Sequence, residues 1–279
     1  MNKNESIIDK SLNKAFKGGI SGATAMVCQV GSLMWLRTTM NYQYRYGYST
    51  KIAMKKLYKE GGIRRFYRGV GPALIQGPLS RFGDTAANVG VITFLNNNDT
   101  TKDLPILFKS VCASGVAALW RINLMPLDTL KTSLQVLGKD GISKLKTKYR
   151  ANGVRVFYHG AIGAFGATYV GHFPWFATYN YLDSKIDKYD GIKKFGRNAF
   201  IGFSSSIVSD TCSNSIRVLK TTRQTSEIPI SYIDAGKHII KNDGILSLFG
   251  RGLKTRIISN GFQGMMFTVL WKYFMEYLN

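Results

Sequence analysis

Acidic side chains are scarce in this sequence: 16 Asp and Glu stand against 38 Lys and Arg in 279 residues, giving a formal charge of +22. That shortage points to an anionic partner, whether nucleic acid, a lipid surface or a charged small molecule. Cysteine is nearly absent. Cys28, Cys112 and Cys212 share neither metal-ligand spacing nor a common position in the chain's repeats, and read as reduced, buried small hydrophobes. The three histidines, His159, His172 and His238, have no carboxylate or thiol cluster around them, which excludes a metal centre. No nucleophile–base pair and no phosphate-binding glycine loop occurs, so the sequence does not read as an enzyme and implies no cofactor. Met1 to Phe16 lacks the apolar core of a secretory signal and is neither Arg-rich nor free of acids, so no ordinary leader is legible there. There is also no uniform Leu/Ile run, and the mean hydropathy of −0.07 is low for a membrane protein.

What the sequence does contain is one phrase written three times. Gly62-Ile63-Arg64-Arg65-Phe66-Tyr67 returns as Gly153-Val154-Arg155-Val156-Phe157-Tyr158 and as Gly244-Ile245-Leu246-Ser247-Leu248-Phe249, each 91 residues after the last. A second phrase precedes each copy: Arg37 to Asn41, Lys131 to Gln135 and Lys220 to Gln224, each a cation with an amide four residues on. Two phrases keeping register identify a tandem triplication, with units at 12–97, 104–188 and 195–279.

The loops of the units decide where the charge lies. Tyr42 to Arg68 carries eight cations against Glu60, and the equivalent stretch of the second unit is basic too, whereas Asn96–Asp103 and Asp187–Lys194 mix both signs. Alternating basic and neutral loops record the sidedness of a polytopic membrane protein. Six apolar or small-residue stretches of about twenty residues, the length of a spanning helix, flank them: 18–36, 69–95, 104–127, 160–182, 195–219 and 257–278. Their modest hydropathy fits helices that each turn a polar face to a water-filled interior. The rival is a soluble basic helical repeat that binds nucleic acid; the loop pattern argues against it.

Within each unit the order is helix, basic loop with a short helix, then helix. The short helix shows in Ser49–Glu60 and in Tyr232–Asn242. Gly62, Gly153 and Gly244 stand where a helix end needs a left-handed residue. Small residues four apart, Gly19 and Ala23, Ala113 and Ala117, Gly202 and Ser206, suggest close helix packing in lipid. Charges inside the spans are expensive and should face the interior. Repeat register puts Arg121 and Asp210 at one depth, as a possible bridge. It also puts Arg81, His172 and Gln263 on one level as a candidate polar ring, with Asp84 one turn beyond Arg81. For Arg81 an anion contact and a pair with Asp84 both remain open; His172, beside Pro174 and Trp175, has the surroundings of a packed residue.

With three units of two spans each, the chain resembles the mitochondrial carrier family over nearly its whole length. Pro126-Leu127-Asp128-Thr129-Leu130-Lys131 is similar to its Pro-x-acid-x-x-base motif, and Gln135 falls where the family has a glutamine brace. Glu60-Gly61-Gly62 with Tyr67-Arg68-Gly69, and Asp243-Gly244 with Phe249-Gly250-Arg251-Gly252, resemble its acid-Gly and aromatic-base-Gly pair. The resemblance implies an all-α membrane protein of six transmembrane helices in three pseudo-symmetric repeats, with short matrix-side helices. It implies a matrix gate at Arg37, Asp128, Lys131, Arg217 and Lys220, braced by Asn41, Gln135 and Gln224. Here the chain departs from the pattern: Pro126 is replaced by Ser32 and Ser215 in the other units, and Asp128 by Met34 and Arg217. Asp128 alone can form the ionic lock, with Lys220 as its partner by the family's pairing rule. On the opposite side Phe94-Leu95, Tyr179-Asn180 and Trp271-Lys272 give no full gate motif, so closure should rest more on packing and amides.

By the family's pattern, substrate contacts fall at Gln76, at Ala167 with Thr168, and at Ser259, and a small residue in the middle position is similar to nucleotide and cofactor carriers. The expectation is alternating access, by exchange, for a small anionic metabolite, a nucleotide first, in a monomer of the mitochondrial inner membrane or another organelle membrane. Cardiolipin or another anionic lipid is expected at the corners formed by Gly62, Tyr67, Arg68 and Gly69, by Gly153, Tyr158 and Gly160, and by Gly244, Phe249 and Gly252. A binding protein of the same fold that no longer transports, or a carrier of a carboxylate or another cofactor, is the alternative; nucleic acid is not expected as a partner.

Overall fold

A computed structural model describes residues 3–98, 100–189 and 192–278. The first unit comprises α1 (Lys3–Tyr46), α2 (Thr50–Phe66) and α3 (Val70–Asn97). The second comprises α4 (Ile106–Asn123), α5 (Met125–Leu137), α6 (Asp140–Asn152), a 3-10 turn at Gly153–Tyr158 and α7 (Ala161–Lys185). The third comprises α8 (Ile192–Thr225), α9 (Tyr232–Asp243), α10 (Ile245–Gly250) and α11 (Leu253–Leu278). The long helices form a closed ring in the order α1, α3, α4, α7, α8, α11 and back to α1.

The proline pattern of the sequence appears directly in this ring. Pro126 has no N–H to give to the turn before it, and its ring crowds the carbonyl there. The first long helix of the second unit accordingly breaks between α4 and α5 by 68°, with Leu124 N–H falling back to Arg121 O at 3.2 Å. The equivalent helices with Ser32 and Ser215, α1 and α8, run unbroken for 44 and 34 residues.

No single helix among the described residues is long and apolar enough on its own to cross a membrane; the bent α4–α5 pair is. The distribution of side chains explains the low average. Phe94, Ile106, Leu119, Ile162, Phe173 and Phe200 are all more than half exposed on the outside of the ring. Gln29, Thr132, Gln135, Asp210, Asn214 and Gln224 are buried within it. A ring with apolar residues outward and polar residues inward suits lipid outside and water inside.

The short helices have polar caps. Ser49 Oγ accepts Ile52 N–H at 3.5 Å and Ser231 Oγ accepts Asp234 N–H at 3.0 Å, so α2 and α9 start where the sequence places them. The second unit has its own short helix, α6, which the sequence reading had not located. One cation per unit then fastens its basic loop to the C-terminal carbonyls of the next unit's first helix. Arg65 donates to Gln135 O and Val136 O at 2.8 and 3.0 Å, Lys148 to Gln224 O at 3.2 Å, and Arg251 to Tyr44 O and Arg45 O at 3.3 Å. Cations suit these positions because carbonyls at a helix C-terminus are unpaired and carry partial negative charge. Each unit holds the next, and the third holds the first.

The expected small-residue packing is only partly met. Ala113 and Ala117 are buried, but a Cβ on Gly202 would meet open space. Close approach occurs instead at or near the start of α7 and within α3. Gly160 would place a Cβ 2.6 Å from Gln224 Cδ, Gly163 would place one 2.9 Å from Lys220 Cβ, and Gly83 would drive one into the Trp120 ring. The Gly19–Ala23 expectation and the Trp271–Lys272 position lie outside the residues whose side chains are described.

Candidate functional site

At the end of the ring facing the basic loops, the three cation–amide phrases converge. Asp128, with its side chain 11% exposed, accepts Lys131 Nζ at 2.7 Å on one oxygen and Lys220 Nζ at 2.6 Å on the other. The first bond lies within α5. The second crosses from α8, so one carboxylate ties two units together. Gln224 Nε2 joins the same cluster, 3.3 Å from Asp128 Oδ2 and 3.1 Å from Thr129 Oγ1. Asn41 Nδ2 donates to Gln135 Oε1 at 2.6 Å, linking the first unit to the second by amides. Met34 has no charge to offer at the equivalent of Asp128, and Lys131 turns to Gln76 Oε1 at 2.9 Å instead.

Among the described residues, the link between the third and first units has no ion pair. Arg217 occupies the position of the missing acid and lines the same cavity as Arg37. Arg37 is drawn to Gln263 Oε1 at 2.7 Å and Met26 Sδ at 3.7 Å, while Arg217 makes one long bond to Ser213 Oγ at 3.4 Å, a turn back on its own helix.

Two cavities lie along the ring axis. One of about 300 Å³ is walled by these residues. A wider one of about 680 Å³ lies beyond it, toward the neutral loops. Arg121, Thr168, Arg217 and Arg256 line both and form the waist between them. Together the walls carry seven cations, namely Arg37, Arg81, Arg121, Lys131, Arg217, Lys220 and Arg256, against three carboxylates, Asp84, Asp128 and Asp210. The cavity is thus net cationic by four charges.

Register alone misassigned the pairing inside it. Arg121 does not bridge to Asp210. It grips Asp84 with both ends of the guanidinium, Nε at 3.2 Å and Nη2 at 2.6 Å, and gives Nη1 to Thr168 Oγ1 at 3.1 Å. Asp210 takes Arg256 Nε at 2.6 Å and a bond from Asn260 Nδ2. The cause is the ring order, which places α7 between α4 and α8 while α3 lies directly beside α4.

The expected polar ring divides as well. Arg81 and His172 line the wide cavity, and Arg81 and Gln263 share a smaller recess of about 210 Å³ with Gln29. His172 Nδ1 lies 2.6 Å from Ser114 Oγ, a packed and hydrogen-bonded position. Gln263 is held by Arg37 and donates to Ser259 Oγ at 2.7 Å. Of the other expected contacts, Gln76 faces the gate cavity, Ala167 and Thr168 line the wide one, and Ser259 is 1% exposed beneath Gln263, on neither wall. Arg256 was missed because the sixth apolar stretch begins at Ile257, one residue too late; the available signal was a base one turn past Gly252. On the far side Tyr179 stacks on Trp175 at 5.1 Å and Phe94 is 67% exposed.

At the basic-loop surface Gly62, Gly153 and Gly244 have φ of 61°, 64° and 80°, and a Cβ on any of them would meet open space. The residue after each, Ile63, Val154 and Ile245, is exposed and apolar. Gly69 and Gly252 are also left-handed, and each lies against the next unit's first helix. Gly160 has an ordinary negative φ, and Tyr158 and Phe249 are exposed. In the first unit Arg65, and not Arg68, does the docking. Burial, and then the charge of Arg45, push the Lys148 ammonium down to about 8.

Comparison with known proteins places this geometry. The calcium-binding mitochondrial carrier SAL1 of Saccharomyces cerevisiae is 34% identical over 137 residues, 45% of this chain and 24% of the relative. A truncated non-functional form, SAL1-1, of the same organism is 37% identical over 98 residues, 34% of this chain and 19% of the relative. The chain thus matches about a quarter or less of the length of these curated relatives. The sequence model of the mitochondrial carrier protein family matches residues 9–98, 103–190 and 192–279. With three tandem matches spanning nearly all of its length, the chain belongs to the mitochondrial carrier family.

Proposed function

We propose that this carrier moves a small anionic metabolite, specifically a nucleotide, across the mitochondrial inner membrane by alternating access and exchange. The observation that carries the reading is the cavity of seven cations and three carboxylates. A nucleotide suits its division of labour: Trp175, Phe176 and His172 put aromatic rings on the wide cavity, and the waist arginines offer phosphate donors. Ala167 and Thr168 leave room between the two. Substrate binding shifts the population between two states of the gate. Anionic lipid such as cardiolipin is proposed at the open glycine corners beside Ile63, Val154 and Ile245, around a monomer.

Uptake by proteoliposomes tests this. Vesicles preloaded with ADP are expected to take up labelled ATP; uptake of citrate but not ATP would leave an anion carrier of the carboxylate class. A second reading, a carrier-fold binding protein without transport, is favoured by the single acid in the gate. Stabilisation by ATP with no uptake of any anion would select it.

A further inference from the structure

We infer that Arg217 and Arg37 form a receptor for a phosphoryl dianion, and that the bound phosphoryl group serves as the link the matrix gate lacks between the third and first units. The inference rests on the anion-carrier reading above and adds where the charge is taken and what its binding does to the gate.

Three observations lead to it. Arg217 stands at the repeat position where the second unit has Asp128, so the sequence itself puts a cation where the gate needs an anion. Among the three arginines lining both cavities, Arg121 and Arg256 each hold a carboxylate within hydrogen-bond distance. Arg217 has no carboxylate partner among the described residues, and one 3.4 Å bond to Ser213 Oγ occupies one of its five donors. Arg37, on α1 and lining the same 300 Å³ cavity, is held among the described residues by a neutral amide and a thioether.

A guanidinium removed from bulk water and left with a single weak bond is costly. A tetrahedral phosphoryl group cancels that cost best, because its oxygens accept the planar fork of Arg217 while one remains for a second guanidinium. Arg37 is the near cation able to leave a neutral partner for it. The substrate then does for the third seam what Asp128 does for the second, with two cations on one anion.

The test compares wild type with Arg217→Gln, Arg217→Lys and Arg217→Asp, purified in detergent and melted with ATP, inorganic phosphate or citrate. ATP and phosphate are expected to stabilise wild type, and Arg217→Gln to weaken the apparent affinity for both by roughly tenfold to a hundredfold, the range of one lost charge-assisted contact. Arg217→Lys keeps the charge without the fork and falls between. Arg217→Asp restores the repeat's acid on the cavity that Arg37 also lines: without ligand it should melt higher than Arg217→Gln and show no phosphate response.

Undiminished stabilisation of Arg217→Gln by ATP would overturn the inference while leaving the anion-carrier reading intact. An unliganded Arg217→Asp protein that melts below Arg217→Gln would remove Arg37 from the receptor. Wild type stabilised by citrate alone would refute the phosphoryl class and the nucleotide reading together, and wild type indifferent to all three would refute both.

Discussion

Replacing Asp128 with Asn keeps the shape of the gate and removes its charge. In the folded protein that carboxylate is 11% exposed and satisfies Lys131 at 2.7 Å and Lys220 at 2.6 Å, whose side chains are 17% and 18% exposed. An amide can accept from one lysine but presents its NH₂ to the other, leaving an enclosed ammonium without a counter-charge. Removing one partner of a buried ion pair costs about 3–5 kcal/mol. At roughly 2–4 °C per kcal/mol for a chain near this size, unliganded Asp128→Asn should melt at least 6 °C below wild type. Differential scanning fluorimetry of the detergent-purified protein measures this. Pairing Asp128→Asn with Lys220→Met in a double-mutant cycle should show coupling of about 1–3 kcal/mol, since the second change removes one of the two stranded charges. A control lies on the surface: Lys144 and Glu227 make an equally short bond of 2.5 Å with side chains 39% and 68% exposed. Glu227→Gln should leave the melting point unchanged within error, as exposed pairs do. A loss under 2 °C for Asp128→Asn, or equal losses for the buried and exposed pairs, would refute the idea that burial makes Asp128 the main ionic tie of the gate.

The glycine pattern predicts a contrast within the ring. Gly83→Ala drives a methyl into the Trp120 ring, which is fixed by a 3.0 Å bond from Nε1 to Leu79 O, and should lower the melting point by several degrees through overpacking, typically 1–3 kcal/mol. Gly202→Ala meets open space and should be neutral or stabilising by up to about 1 kcal/mol from helix propensity alone. The same melting assay measures both. Lys148 predicts a pH dependence. Its folded ammonium titrates near 8 against 10.5 when free, so the folded state binds fewer protons than the unfolded state between those values. Stability should therefore rise with pH across that window, and the Lys148→Met protein should lose this component of the rise. A melting curve equally steep in pH for both proteins would contradict it.

Features tied to one position were legible in the sequence, and features set by rotation about a helix axis were not. The break between α4 and α5 is traceable to Pro126 alone, because a missing N–H acts locally. Gly62, Gly153 and Gly244 announced left-handed turns for the same reason. The Asp128–Lys220 pair also followed once the family's pairing rule was applied, since both residues lie at the converging end of the ring. Arg121 and Asp210 show where this reasoning stops. Their register gave a common depth, but depth does not say which neighbour a side chain meets, and α7 stands between their helices. Arg256 illustrates the other limit: a window drawn around apolar residues excludes the bases at its border, where a long side chain can still reach the cavity.

In the transport cycle proposed above, the unequal seams would let the gate be both closed and responsive. Between the second and third units an acid shared by two lysines holds with or without ligand. Between the first and second a 2.6 Å amide bond holds more weakly and without charge. Between the third and first, Arg217 and Arg37 line one cavity, and each turns to a neutral neighbour. Three ionic seams would stabilise closure whatever the cavity contained, and a ligand can shift an equilibrium only by its differential affinity for the two states. The seam whose strength changes most when an anion arrives is therefore the one without an acid. In this chain the break in the repeat at Arg217 puts that seam's cation on the wall common to both cavities.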